Sequence, residues 1–119
     1  MERLISWVEI PAIDMERAVK FYNAAFQLDL EIADFGKEKM ACFPNGEGAI
    51  SQAPGFAPSR DGALVSFNAG KDIQEKIDRV MLLGCEILKG KTKIEAEDFG
   101  YFAMFVDTEG NKVGLYGKN

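Results

Sequence analysis

The sequence predicts an α+β fold made of two successive βαβββ modules. Three observations carry that expectation. Two amphipathic helical runs, 15–26 and 73–84, each follow an aspartate and a short alternating strand. Each helical run is followed by three strand-like stretches. Between the halves lies Ala53-Pro54-Gly55-Phe56-Ala57-Pro58-Ser59-Arg60-Asp61-Gly62, with two of the four prolines. The repeat is one of element order, not of residue identity. The expected organisation is therefore one domain, 1–119, with module one at 1–53, a linker at 54–62 and module two at 63–119.

Each element has its own signal. Leu4–Ile10 alternates Leu4, Ser6, Val8 and Ile10 against Ile5, Trp7 and Glu9, the period of a strand. Pro11 ends it, because proline donates no ladder hydrogen bond. Asp14 is an N-cap, and Met15, Ala18, Val19, Tyr22, Ala25 and Phe26 then share one helix face. Leu28–Phe35, Lys39–Phe43 and Gly48–Gln52 follow as strands, with turns at Gly36 and at Pro44-Asn45-Gly46. In the second half, Ala63–Asn68 is a strand and Asp72 caps a helix. Its apolar positions are Ile73, Ile77, Val80 and Met81, and Gly84 stops it. Cys85–Lys89 is a strand, and the charged stretch Lys89–Asp98 reads as a solvent-exposed loop. Tyr101–Val106 and Lys112–Tyr116 form a hairpin around Asp107-Thr108-Glu109-Gly110-Asn111.

Composition narrows the function classes. A chain of 119 residues, 47% hydrophobic and 28% charged, buries a core without disulfides or structural metal. Its net charge of −5 speaks against nucleic acid and against anionic membrane surfaces, which need a basic face. No stretch approaches the roughly 18 apolar residues of a membrane span, and no signal-peptide pattern opens the chain. Cys42 and Cys85 lie in no spaced motif and read as small buried thiols. The default expectation is a cytoplasmic protein. No glycine-rich phosphate loop occurs, and the lack of histidine removes Ser-His-Asp and Cys-His catalysis.

Two motifs carry a family resemblance. The opening run from Trp7 to Tyr22, with Trp7-Val8-Glu9-Ile10-Pro11 leading to Asp14, resembles the first strand and helix of the vicinal-oxygen-chelate superfamily. That superfamily comprises the glyoxalases, bleomycin-resistance proteins and extradiol dioxygenases. The closing run Phe102–Leu115, with Asp107-Thr108-Glu109-Gly110-Asn111 at its turn, resembles that superfamily's last hairpin. The resemblance spans essentially the whole chain and implies curled sheets around a cleft. Most enzymes of the superfamily hold a divalent metal with His and Glu side chains. Carried over position by position, those ligand positions fall at Trp7, at Leu64, at Ser51 or Ala49, and at Gly114. None is a good donor. No metal cofactor is therefore expected, since a catalytic ion normally needs about three protein ligands.

The remaining candidates are Trp7, Glu9, Ser66, Asn68 and Tyr116. Trp7 stacks on a planar ligand or fills the volume a metal leaves. Glu9, on an inward face, is either a ligand anchor and general base or one half of an ion pair. Ser66 and Asn68 share the Leu64 face and meet either a ligand or water and backbone. Tyr116 shares the Gly114 face, and Gly114 itself permits close approach. The resemblance implies a small-molecule-binding protein of the bleomycin-resistance type, commonly a homodimer, taking a hydrophobic or planar compound. The competing expectation is a metal-dependent lyase or isomerase of the glyoxalase type, with Glu9 as general base.

Overall fold

The structure is a computed structural model that describes residues 4–95 and 98–119. It divides into two compact units, Met1–Pro58 and Ser59–Asn119. In the first, the order is β1 (Val8–Pro11), α1 (Met15–Phe26), β2 (Ala33–Asp34), β3 (Lys39–Cys42) and β4 (Gly48–Gln52). These strands form one mixed sheet ordered β1-β4-β3-β2, with β1 parallel to β4 and the other pairs antiparallel. Alternation and register decide its two faces. Ile10, Ile50 and Ala41 lie in one row and are buried with the apolar side of α1, notably Met15, Ala18 and Tyr22. Glu9, Ala49 and Cys42 form the next row, on the opposite face.

The helix starts where the aspartate directs it. The Asp14 carboxylate accepts the Arg17 N–H at 3.1 Å, and the Gln52 side chain accepts the Met15 N–H at 3.1 Å. That second bond ties β4 to the helix. β4 must also lie close to β1 at its first residue. A Cβ built on Gly48 would sit 1.9 Å from the Val8 carbonyl oxygen, so only glycine fits there.

The second unit repeats the plan. It contains β5 (Val65–Asn68), α2 (Ile73–Leu82), β6 (Ile87–Lys93), β7 (Tyr101–Val106) and β8 (Lys112–Gly117), in a sheet ordered β5-β8-β7-β6. β5 runs parallel to β8, and β7 is antiparallel to both of its neighbours. Ile73, Ile77 and Val80 of α2 are buried, as are Ala103, Phe105, Val113 and Leu115 of the sheet. The hairpin turn between β7 and β8 is buried and polar. Asp107 Oδ1 accepts the N–H groups of Glu109 and Asn111, both at 2.9 Å, and its Oδ2 accepts Asn111 Nδ2 at 3.0 Å. Asn111 in turn accepts the Ser59 N–H, and Lys112 N–H donates to the Ser59 carbonyl. The turn thus anchors the chain segment that enters this unit.

Four expectations need correction. The first strand starts at Val8, not Leu4. The Leu28–Phe35 strand shrinks to Ala33–Asp34. Its cause is local: Asn23 of α1 accepts the Leu30 N–H at 2.8 Å and donates to the Leu30 carbonyl at 3.3 Å, taking both groups a ladder would use. The Lys89–Asp98 stretch is not a loop throughout, because β6 continues to Lys93. β6 is the outer strand of its sheet, where lysines are tolerated. Lys89 and Lys91 also find aromatic partners, at 5.9 Å from the Phe102 ring and 4.5 Å from the Tyr101 ring. Residues 96 and 97 of that stretch lie outside the described residues. Finally, Cys42 is exposed, since it ends β3 on the face turned away from α1.

Candidate functional site

Each sheet has one face covered by its helix and one turned away from it. The residues singled out in the sequence lie on the faces turned away from the helices or beside them. In the first unit that face carries Glu9 and Pro11 of β1, Ala49 and Ser51 of β4, and Met40 and Cys42 of β3. Ser51 is 4% exposed, and its hydroxyl donates to Glu9 Oε1 at 2.7 Å. Glu9 itself is exposed. Trp7 stands just ahead of β1 and is 42% exposed.

In the second unit the register brings three of the candidates into adjacent rows. Asn68 lies beside Tyr116, which lies beside Phe102. Ser66 lies beside Gly114, which lies beside Met104. Tyr116, Phe102 and Met104 are half-buried, while Ser66 and Asn68 are exposed. Asn68 spends its side-chain oxygen on the Gly70 N–H at 2.8 Å, closing the turn into α2. Its amide nitrogen is the group it can offer a ligand. Lys89, above the Phe102 ring, adds a cation to this face that sequence reasoning missed, because the residue was assigned to a loop.

The positions that hold metal in related enzymes have a different use here. A Cβ on Gly114 would meet the Ser66 hydroxyl first and then the Ser66 Cβ at 3.3 Å. A side chain at 114 would therefore have to share its place with the exposed Ser66 side chain. Leu64 is an exposed apolar residue just before β5. Ser51 is engaged with Glu9. Among the described residues no three His, Cys, Asp or Glu side chains cluster as metal ligands do. The donor set does not fit a divalent ion of the kind the superfamily uses.

A depression of about 470 Å³ lies elsewhere, at the start of α1, lined among others by Asp14, Arg17, Lys39 and Gln52. It is not an anion site ready-made by the helix, because the Met15 and Arg17 N–H groups are already taken by Gln52 and Asp14.

The Cys85 thiol has a displaced titration. Burial, and then the negative charge of Asp107, pushes it up to about 11 from an ordinary 9.0. It is a poor nucleophile at neutral pH.

The two βαβββ units, each with a mixed four-stranded sheet, have the architecture of the vicinal-oxygen-chelate class. The sequence profile of the Glyoxalase/Bleomycin resistance protein/Dioxygenase superfamily matches residues 4–115, and the chain belongs to that superfamily. Among solved structures it is similar to glyoxalase I from Zea mays, at 24% identity over 95% of this chain, with a TM-score of 0.73. The match covers 45% of the maize chain, so this protein spans less than half its length. A glyoxalase/bleomycin resistance protein/dioxygenase family enzyme from Burkholderia phytofirmans PsJN is similar over 96% of this chain and 98% of its own, at 14% identity and a TM-score of 0.70. A mutant of the fosfomycin resistance protein FosX from Listeria monocytogenes, complexed with Mn(II) and 1S,2S-dihydroxypropylphosphonic acid, matches at 17% identity. That match covers 98% of this chain and 90% of the FosX chain, with a TM-score of 0.67. At these identities the likeness shows the fold alone. No curated protein sequence matches the chain at a significant level.

Proposed function

We propose that this protein binds a small hydrophobic or planar molecule without a metal, in the manner of the bleomycin-resistance branch of its superfamily. The observation that supports the reading most is the donor set: Gly114, Leu64 and Trp7 stand at the positions the resemblance gives to metal ligands, and among the described residues no three His, Cys, Asp or Glu side chains cluster. Faces with too few donors for an ion but with half-buried apolar groups and a few polar ones suit retention of a ligand. On the first unit the candidate contacts are Trp7 and Glu9, and on the second they are Ser66, Asn68 and Tyr116. The protein works in the cytoplasm as a homodimer on this reading. No nucleic acid or membrane partner is included, in keeping with the net charge of −5. Among the described residues no helix is long and apolar enough to cross a membrane.

The alternative is a metal-dependent lyase or isomerase of the glyoxalase type with Glu9 as general base. It draws on the likeness to maize glyoxalase I and on the Mn(II) of the FosX complex. The exposure of Glu9 and the lack of donors at Trp7, Leu64 and Gly114 favour the binding reading. Titration of the purified protein with planar metabolites, followed by Trp7 emission, tests it. Saturable change that persists in EDTA and disappears in Trp7→Phe supports metal-free binding. Turnover of a 2-oxoaldehyde–thiol adduct that stops on chelation and returns with metal overturns it.

A further inference from the structure

The second sheet segregates charge. Its four strands contain no acidic residue and carry Lys89, Lys91, Lys93 and Lys112. The acidic residues of 59–119 all fall outside these strands, in α2 and the connecting segments. The first sheet differs, with Glu9 and Asp34 in its strands beside Lys39. Register divides the lysines of the second sheet between its faces. Lys91 stands over the Tyr101 ring and Lys93 pairs with Tyr101, in line with Ala103 and Phe105, which are buried on the α2 side. Lys89 and Lys112 lie on the opposite face.

On that face Lys89, Met104, Gly114 and Ser66 stand side by side across the four strands. Thr92, Phe102, Tyr116 and Asn68 form the next row. Met104, Phe102 and Tyr116 are half-buried and Ser66 and Asn68 are exposed, so a flat body has an apolar floor it can reach. The Lys89 ammonium is 5.9 Å from the centre of the Phe102 ring and so stands over β7, not over its own strand. From β7 to β5 is a distance of two strand spacings, about 10 Å. Asn68 stands at that far end, its oxygen committed to the Gly70 N–H at 2.8 Å, which leaves Nδ2 as a donor. The two rows thus present an ammonium, hydroxyls and an amide N–H, and no carboxylate.

We infer that the face of the second sheet turned away from α2 holds a flat aromatic carboxylate, its ring on Met104 and Tyr116 and its anionic group on the Lys89 ammonium. The span from that ammonium to Asn68 is the length of a fused two-ring acid. This inference rests on the metal-free binding reading and names the ligand class that reading leaves open. An organic cation of the same shape meets Lys89 and Lys112 and is disfavoured there.

The test uses three flat probes of one shape and different charge at neutral pH: 2-naphthoate, 2-naphthamide and 2-naphthamidinium. Their affinities for the intact protein are measured by calorimetry in EDTA. The carboxylate is expected to bind at least about fivefold more tightly than the neutral amide, and the amidinium most weakly. Raising sodium chloride to about 1 M should shrink that preference, because charges are then screened beyond about 3 Å. Lys89→Gln should bring carboxylate and amide within about twofold of each other. Lys91→Gln, which removes the same charge from the α2 side of the same strand, should leave the preference intact. Equal affinities for the three probes, or a preference that survives Lys89→Gln, overturn the carboxylate subsite while metal-free binding stands. If no probe binds, the subsite is overturned, and the Trp7 titration decides the metal-free reading separately. Binding of the carboxylate only after Mn(II) is added overturns both.

Discussion

Removing the Asp107 carboxylate should unfold the second unit at markedly lower denaturant. Asp107 is 5% exposed and accepts, among its bonds, two from backbone N–H groups at 2.9 Å and one from Asn111 Nδ2 at 3.0 Å. Bonds to a charged acceptor contribute about 1.5–3 kcal/mol each, but they share one group and are not additive. Asp107→Ala also strands donors within a buried turn and loosens Asn111, which holds the Ser59 N–H. A loss of about 3–5 kcal/mol follows, a large part of the stability of a small domain. Asp107→Asn retains one acceptor oxygen but sets an amide nitrogen against Asn111, and about 1–2 kcal/mol is expected. Thr108→Ala, with its hydroxyl on Glu109 at 3.0 Å, serves as the milder comparison. Urea unfolding followed by far-ultraviolet circular dichroism measures all three. An Asp107→Ala midpoint within about 0.5 kcal/mol of the unaltered protein would refute the assignment of this turn as the anchor of the unit.

Further outcomes can be checked with little effort. Gly48→Ala drives a Cβ into the Val8 carbonyl oxygen and should separate β1 from β4, at a cost of about 2–4 kcal/mol; thermal unfolding of the variant reads it directly. At pH 8 a thiol-specific alkylating reagent should label exposed Cys42 first and Cys85 slowly, as peptide mass spectrometry will show. Folding favours the protonated Cys85 thiol, so its contribution to stability is complete below the ordinary 9.0 and fades as pH rises through about 11. Asp107→Ala removes the second cause of that shift and should speed labelling of Cys85.

The elements with strong local signals were legible in the sequence. Asp14 and Asp72 cap the two helices as their positions suggest, and Gly48–Gln52 and Tyr101–Val106 fall on the expected residues. The misses have tertiary causes. Nothing near Leu30 announces that Asn23, seven residues earlier, will take its backbone groups. Lys89, Lys91 and Lys93 look like loop residues until the sheet order puts them on an outer strand with aromatic rings next door. Cys42 looks buried because Ala41 beside it is, yet alternation sends the two to opposite faces. In the candidate site, strand alternation puts Ser66 and Asn68 on one face and Gly114 and Tyr116 on one face, while the parallel register that pairs them comes from the sheet. The Ser51–Glu9 bond was not foreseen, since it joins residues 42 positions apart through a sheet register that sequence spacing does not encode.

Metal content measured on the protein itself bears most directly on the central claim. The protein is expressed with Mn(II), Ni(II) and Zn(II) supplied, dialysed without chelator and analysed by mass spectrometry of the elements. Far less than one equivalent of any metal per chain is expected, with ligand-induced change in Trp7 emission the same before and after EDTA. One equivalent of a divalent ion, retained through dialysis and needed for that emission change, would contradict the account.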